Sequence, residues 1–249
     1  MLIVAETNAS ADILLQYVGL EDGASPYFTN AAHDVIVAPG ADVRVNVVQH
    51  VSSTGYALAH TTVFQEASSK AAVVTGSFTG KTTRHAVVSE LQGEAANTTL
   101  NGLSVLKGDT EAYHHTVIEH RKPRCTSHQL YKGILDDRAK SEFDGTIRVH
   151  VDAQKTDSRQ LNKNLLLSAD AEIDTQPVLE IFADEVKAAH GATVGQLDEE
   201  ELFYIMARGI PRDQAERLVV FGFFGEVLER LPMPGVVLEL REAIAAKIG

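Results

Sequence analysis

Short runs of alternating apolar and polar residues fill most of the first 185 positions. Examples are Leu2 to Ala5, Val43 to Val48 and Thr146 to Val151, and the runs are bounded by turn residues such as Pro39-Gly40 and Asn101-Gly102. Period-two runs with such boundaries predict β-strands. Almost no amphipathic helix separates them, so the pattern excludes a βαβ design and favours a barrel, a sandwich or a solenoid. The chain shows no repeat of fixed period, and the pattern alone does not choose among the three.

The pattern becomes helical towards the end of the chain. Asp198 is a predicted N-cap because Glu201 follows three residues later, and Gly209 is the residue type that ends a helix. Pro211 suits the first position of a second helix, whose apolar residues continue to Leu228. A short helical region therefore follows the strands.

A last helix is predicted from about Val236 to Lys247, after two prolines that end the helix before it. Together these patterns divide the chain into two parts. We predict a β region over residues 1–190 and a helical C-terminal domain over residues 191–249.

Composition narrows the functional classes. The net charge is −12 and no block of basic residues occurs, which argues against binding to nucleic acid or to anionic membranes. No apolar run approaches the length of a membrane span, and the N-terminus carries an acid in place of a basic leader, so we expect a cytoplasmic protein.

The one cysteine, Cys125, excludes an internal disulfide. Because iron–sulfur clusters take mostly thiolate ligands, this chain would need a partner to hold one.

Several ordered segments are similar to one protein family. They include Phe143-Asp144-Gly145-Thr146-Ile147, Ala153-Gln154-Lys155-Thr156-Asp157, Asn162-Lys163-Asn164-Leu165, Pro177-Val178-Leu179-Glu180-Ile181, His190-Gly191-Ala192-Thr193 and Leu202-Phe203-Tyr204. Together they resemble the SufB/SufD core family of iron–sulfur cluster assembly scaffolds, and the His-Gly-Ala-Thr element resembles its SufD branch.

The resemblance implies a fold and a function. The fold is mainly β, a right-handed parallel β-helix (β-solenoid) with an α-helical C-terminal domain. The function is that of a non-catalytic subunit that pairs with SufB, docks the ATPase SufC and shares a transient iron–sulfur cluster with its partner subunit. Family members usually begin with a helical region that is missing here. They also often carry Lys-Cys-x-His-Gly, where this chain has Lys187-Ala188-Ala189-His190-Gly191.

His190 is the first candidate for the assembly interface, because imidazole can replace cysteine at an iron–sulfur centre. In that role it would be a metal ligand shared with the partner subunit. The alternative is a hydrogen-bonded histidine that fixes the junction between strands and helices. Cys125 is a weaker candidate, since a lone cysteine on a strand is usually a small packed hydrophobe. A loose histidine cluster around His114 and His115 is predicted to be structural or solvated.

The helical tail is rich in aromatic residues, and its apolar run from Val219 to Phe224 exceeds what one helix face needs. We expect the excess to form a docking surface for the partner ATPase. The predicted contacts are Phe203, Tyr204, Phe221 and Phe224, with Arg208 and Glu226 at the rim.

Two other functions stay open at this point. The acidic stretch from Asp170 to Glu201 is compatible with a β-helix carbohydrate-active enzyme, which would need paired carboxylates in a cleft. A purely structural solenoid adaptor or homodimer is the third hypothesis. The stretch Thr75 to Thr82 superficially resembles a phosphate loop, but its glycines are one residue too close and a strand-like run follows, so nucleotide binding is rejected.

Overall fold

The structure is a computed structural model that describes residues 1–19, 25–228, 237, 238, 241, 242 and 245. In those ranges the strands are β1 (Leu2–Ala5), β2 (Ser10–Val18), β3 (Tyr27–Val37), β4 (Asp42–His50), β5 (Gly55–Gln65), β6 (Lys70–Thr79), β7 (Thr82–Leu91), β8 (Asn97–Leu106), β9 (Glu111–His120), β10 (Thr126–Leu135), β11 (Lys140–Val149), β12 (Thr156–Leu166), β13 (Glu172–Ile181) and β14 (Val186–Gln196). The helices are α1 (Glu199–Met206) and α2 (Arg212–Leu228).

The strands form a parallel β-solenoid of about seven turns, which confirms the predicted fold class. The odd-numbered strands make sheet A in the order β1-β3-β5-β7-β9-β11-β13, and the even-numbered strands make sheet B in the order β14-β12-β10-β8-β6-β4-β2. Every pairing between neighbouring strands is parallel. Each turn of the chain thus adds one strand to each sheet.

The turns differ in length, which explains the lack of a fixed repeat in the sequence. Tyr56 is paired with Thr82 in one turn, whereas Lys140 is paired with Glu172 in a later one, and the second pair encloses the longer stretch of chain. Corners between strands absorb most of the difference, and the register shifts at one irregularity between Gln49 and His50 in the β4–β6 pairing. A solenoid needs only stacked strands, so its corners tolerate insertions.

The interior of the solenoid is lined by alternate residues of both sheets. Small and β-branched side chains such as Val35, Val43, Val73 and Val87 form one continuous apolar cluster there. Strands of sheet B are also buried on their outer face, as the pattern of β8 shows. Burial on both faces is the reason that these strands lack clean alternation in sequence.

Helix α2 covers the outer face of sheet B. Val220, Phe224 and Val227 of the helix form one cluster with Phe78 and Leu130 of the sheet. The predicted helix signals are confirmed locally, since the Asp198 side chain accepts hydrogen bonds from the backbone N–H of Glu200 and Glu201. The helical tail is therefore anchored on the solenoid.

The end of the β region lies beyond the position where the sequence pattern placed it. Strand β14 passes through residue 190 and ends at Gln196. The switch from period two to helical period gives only an approximate boundary, because the exposed end of β14 carries few apolar residues. The predicted last helix, from about Val236 to Lys247, falls mostly outside the described residues.

Candidate partner interface at the open end of the solenoid

The last turn of the solenoid ends both sheets. Strand β13 is the final strand of sheet A and β14 is the final strand of sheet B, so within the described ranges each pairs on one side only. An unpaired strand edge presents backbone N–H and C=O groups that can pair with another chain. We call this end, formed by β13 and β14, the open end.

His190 lies in the middle of β14, at the open end. It is the register neighbour of Gln160, which in turn is the neighbour of Gln129. Both glutamines are buried in the solenoid interior, and register neighbours on parallel strands point to the same side of a sheet. The imidazole therefore extends from the interior-facing row and is exposed, because no further turn covers it within the described part of the chain. Strand β14 continues to Gln196, so His190 does not stand at the junction between the strands and the helices.

The surroundings of His190 are apolar. The interior-facing row of β14 contains Val186, Ala188 and Val194 beside it, and Pro177 and Leu179 lie on β13 opposite. Val194 is 47% exposed. At the corner between the two strands, Phe182 is 59% exposed. The open end thus combines an apolar surface with one imidazole.

Cys125 is not part of this surface. Its side chain is fully buried, and its thiol donates a hydrogen bond to the carbonyl oxygen of Gly93 at 3.2 Å. Burial raises the pKa of the thiol, so it stays protonated. Cys125 immediately precedes β10, four residues before Gln129, which places it about 16 Å from His190 at ordinary strand rise and spacing. The structure does not bring the two candidates together.

Helix α1 presents an exposed aromatic pair with a cation. Phe203 is 72% exposed and Tyr204 is 63% exposed. The Arg208 guanidinium carbon lies 3.4 Å from the centroid of the Tyr204 ring, and its Nη1 donates to the Tyr204 carbonyl oxygen at 2.5 Å. We call these three residues the α1 patch. Exposed aromatic and arginine side chains are the types enriched at protein interfaces.

The other predicted docking residues hold α2 to the solenoid instead. Phe224 is completely buried against sheet B, and Phe221 is partly buried in the same cluster. The carboxylate of Glu226 forms an ion pair with the ammonium of Lys132 at 2.9 Å. Most of the extra apolar side chains of the tail are therefore buried against the solenoid, and Phe224 offers no surface to a partner in this fold.

The remaining sequence candidates are structural. Acids of the stretch that begins at Asp170 form ion pairs, as Glu172 does with Lys140 at 2.8 Å and Glu199 with Arg212 at 2.6 Å. Strand β7 directly follows the glycine-rich segment, so no helix N-terminus is there to bind phosphate. Across the described residues no group of three histidine, cysteine or acidic side chains is placed to hold a metal ion.

His114 and His115 point to opposite faces, as the period of a strand requires. His114 is buried beside Tyr131, with ring centroids 5.3 Å apart. His115 lies beside Asp144 on the outer face, and its Nδ1 is 3.1 Å from the Asp144 carboxylate. The two rings therefore cannot share one metal ion.

Sequence reasoning missed the two residues behind His190. Gln129 and Gln160 are buried polar side chains in the same row, and no local motif distinguishes them. They can be found only by asking which residues stack behind His190: Gln160 lies one turn earlier and Gln129 two turns earlier. That answer requires knowledge of how three successive turns are aligned.

A parallel solenoid with an open, apolar last turn and a short helical tail defines a scaffold-like architecture, and the described helices include none that is long and apolar enough to cross a membrane. Residues 1–223 match the family described as SUF system FeS cluster assembly, SufBD core domain. The chain therefore belongs to the SufBD core family.

Three similar proteins are named as iron–sulfur cluster assembly proteins of the SufD or SufBD type. The chain is 33% identical over 242 residues to the iron–sulfur cluster assembly protein SufD of Escherichia coli, with 97% of this chain and 56% of the relative covered. It is 31% identical over 250 residues to SufD of Bacillus subtilis, with 100% and 57% covered. A SufBD family protein of Synechocystis is 32% identical over 253 residues, with 99% and 56% covered. The chain spans little more than half the length of these relatives.

Proposed function

We propose that this chain is a SufD-like, non-catalytic scaffold subunit of a cytoplasmic iron–sulfur cluster assembly complex. The observation that carries the proposal is the open end, where two unpaired strand edges, an apolar surface and the exposed imidazole of His190 coincide. Membership of the SufBD core family supports it. The partner at the open end is a SufB-like subunit.

Pairing at the open end follows from the chemistry of strand edges. A second solenoid that presents its own last turn could continue both sheets through main-chain hydrogen bonds and cover the exposed Val194 and Phe182. Without that cover, the apolar surface and the backbone groups face water. An isolated chain would meet the same need by pairing with a second copy of itself.

His190 supplies a neutral nitrogen ligand to a transient cluster at this interface. The single thiol of the chain is buried elsewhere, so the thiolates that iron requires come from the partner subunit. A cluster held by both subunits is the product that the complex assembles and passes on. The chain itself contributes position and one ligand.

Anaerobic co-expression with SufB and SufC, followed by iron and sulfide analysis of the purified complex, tests this role. His190→Ala is expected to leave the complex intact and to lower both iron and sulfide severalfold. His128→Ala is the matched control, because His128 is an exposed histidine on the outer face of sheet B. Normal cluster content in the His190 variant would refute the ligand role.

The pairing surface is tested separately from the ligand. Val194→Asp places a charge on the open end and is expected to abolish co-elution with SufB, since an unpaired charge in an apolar interface is costly. Val151, which is 65% exposed in the corner between β11 and β12, provides the control Val151→Asp. Retention of SufB by the Val194 variant would show that the partner binds elsewhere.

The α1 patch is the proposed docking surface for the ATPase SufC. Phe203 and Tyr204 are the large apolar side chains that the helix leaves most exposed. Double substitution of both by alanine is expected to release SufC while SufB stays bound. Leu218→Ala, at a residue of α2 that is 53% exposed, is the control. Full SufC retention in the double variant would contradict the docking site.

A further inference from the structure

A buried amide oxygen without a hydrogen-bond partner lies directly behind His190. The Gln160 side chain has no exposed surface, and its Oε1 accepts no hydrogen bond from any residue that the structure describes. A buried carbonyl oxygen without a donor costs free energy, on the order of 1–3 kcal/mol. Its register neighbour towards the open end is His190. Neighbouring strands of a sheet are about 4.8 Å apart, so the two side chains are within reach of each other.

The orientation of the Gln160 amide is set by the turns behind it. Its Nε2 donates to Gln129 Oε1 at 2.9 Å, and Gln129 Nε2 donates to Thr116 Oγ1 at 2.5 Å. Each amide in this row thus donates away from the open end. Because the nitrogen of Gln160 faces Gln129, its oxygen faces the opposite side, where His190 stands.

The residue pair that faces this amide across the interior supplies no side-chain donor. The unpartnered hydroxyl in the described part of β13, Thr175 Oγ1, belongs to the register pair two residues away. Gly145 faces Gln160 across the interior, and Pro177 is the register neighbour of Gly145 on the next strand of sheet A. A side chain at Gly145 would collide with Gln160 Nε2, so the glycine leaves the space that the amide occupies. Pro177 has neither a side-chain donor nor a backbone N–H. The imidazole is therefore the donor placed to reach the free oxygen.

We propose that Gln160 is a positioning residue for His190. Its Oε1 accepts a hydrogen bond from one ring N–H, which fixes the tautomer and the orientation of the imidazole. The lone pair of the other ring nitrogen then points out of the open end, towards the partner subunit. This inference rests on the ligand role proposed for His190.

The arrangement suits a metal-binding imidazole. Histidine ligands usually donate their second ring N–H to a carboxylate, a carbonyl oxygen or water, and loss of that acceptor costs about 10- to 100-fold in metal affinity or activity. An amide oxygen fixes the ring without adding a negative charge. The hydrogen bonds from Gln160 to Gln129 and from Gln129 to Thr116, which lies across the interior on β9, keep that oxygen from turning away.

The test measures the tautomer of His190 in the purified full chain by ¹⁵N NMR, with the resonance assigned by its loss in His190→Ala. The wild-type ring is expected to populate a single tautomer. Gln160→Met keeps the volume and removes the acceptor, so the ring should exchange between both tautomers. Gln160→Glu keeps an acceptor oxygen at the same place and should restore the single tautomer.

Asn162→Leu is the matched control. It removes another buried amide from β12, two residues along the strand, whose register neighbour is Ala192. The His190 tautomer should not change in that variant. An unchanged tautomer in Gln160→Met would overturn the proposal. If that variant failed to fold, a wild-type ring that exchanges freely between tautomers would overturn it as well.

Cluster content separates this inference from the proposed function. In co-expressed complexes, Gln160→Met is expected to lower iron and sulfide about tenfold, and Gln160→Glu to retain most of both. If His190→Ala lost iron and sulfide while Gln160→Met kept a normal cluster content and a single His190 tautomer, only the positioning role would be refuted. Normal content in His190→Ala would sink the ligand role, and the tautomer measurement would still decide whether Gln160 orients the ring.

Discussion

The ammonium of Lys132 on β10 lies 2.9 Å from the carboxylate of Glu226 on α2. The same ammonium donates to the carbonyl oxygen of Phe223 at 2.7 Å and lies 5.0 Å from the centroid of its ring. The Lys132 side chain is 5% exposed. A single buried cation therefore ties the second half of α2 to sheet B.

Lys132→Met is expected to lower the free energy of unfolding by about 1–2 kcal/mol. The loss stays modest because the Glu226 carboxylate is 41% exposed and can be solvated when the cation is removed. Urea denaturation followed by circular dichroism measures the change. Lys140→Met, which removes a solvent-exposed pair with Glu172, is the control and should cost much less, because water already solvates both charges. Equal effects of the two variants would contradict the anchoring role.

Phe224 and Phe203 should respond very differently to truncation. Phe224→Ala removes a completely buried ring between α2 and sheet B and is expected to cost about 3–5 kcal/mol of unfolding free energy. Phe203→Ala removes a ring that is 72% exposed and should cost less than about 0.5 kcal/mol. A thermal or urea unfolding series compares them. A small effect at Phe224 would show that α2 does not pack as described.

Buried histidines should make the solenoid sensitive to acid. Burial lowers the pKa of His85 to about 3 and that of His114 to about 4, so both stay neutral in the folded chain. In the unfolded chain they protonate near the ordinary histidine pKa of about 6.5. The unfolded state therefore binds more protons below that pH, and stability falls as the pH drops towards the folded-state values. By the time the pH reaches the folded-state values, each histidine contributes on the order of 3–5 kcal/mol to this loss.

His114→Leu tests the acid sensitivity directly. Both ring nitrogens of His114 are buried and have no hydrogen-bond partner in the described part of the chain, so the substitution removes no hydrogen bond there. The slope of unfolding free energy against pH between 6 and 5 should decrease by about 1.2 kcal/mol per pH unit, which corresponds to slightly less than one proton. Ile118→Val on the same strand is the control, because it changes a fully buried side chain that carries no titratable proton and should keep the wild-type slope. An unchanged slope in the His114 variant would contradict the assignment.

Cys125 is expected to be inert in the folded protein. Its thiol is buried and its pKa is raised by burial, so little thiolate is available for reaction. Alkylation by iodoacetamide should be on the order of a hundredfold slower in the native chain than in the urea-unfolded chain. Cys125→Ala should leave the iron and sulfide content of the co-expressed complex unchanged. A loss of sulfide in that variant would restore a chemical role to the thiol.

Much of the architecture was predictable from local pattern. The alternation from Val43 to Val48 predicts a strand, and the cap at Asp198 predicts the start of a helix. Both signals depend on residues only a few positions apart. The choice of a solenoid over a barrel or a sandwich came from the family resemblance. The corners differ in length, so the sequence lacks the regular repeat that would reveal the stacking. The turn that pairs Tyr56 with Thr82, for example, is shorter than the turn that pairs Lys140 with Glu172.

The candidate site was predictable only in part. His190 was identified through its motif, but its place on the last strand depends on pairing with Gln160, one full turn earlier in the chain. Phe203 and Phe224 have the same side chain in adjacent helices, and only one of them faces the solvent. Helical periodicity does not say which stripe will meet the outer face of sheet B.

The sequence by itself determined the types of element, their approximate limits and the presence of one thiol and one distinctive histidine motif, because these depend on neighbouring residues and on composition. Only the tertiary structure decided that the thiol is enclosed, that the imidazole reaches the open end and that Gln160 stands behind it. Those relationships depend on register between residues a whole turn apart in the chain. That register is set by the stacking of complete turns on one another.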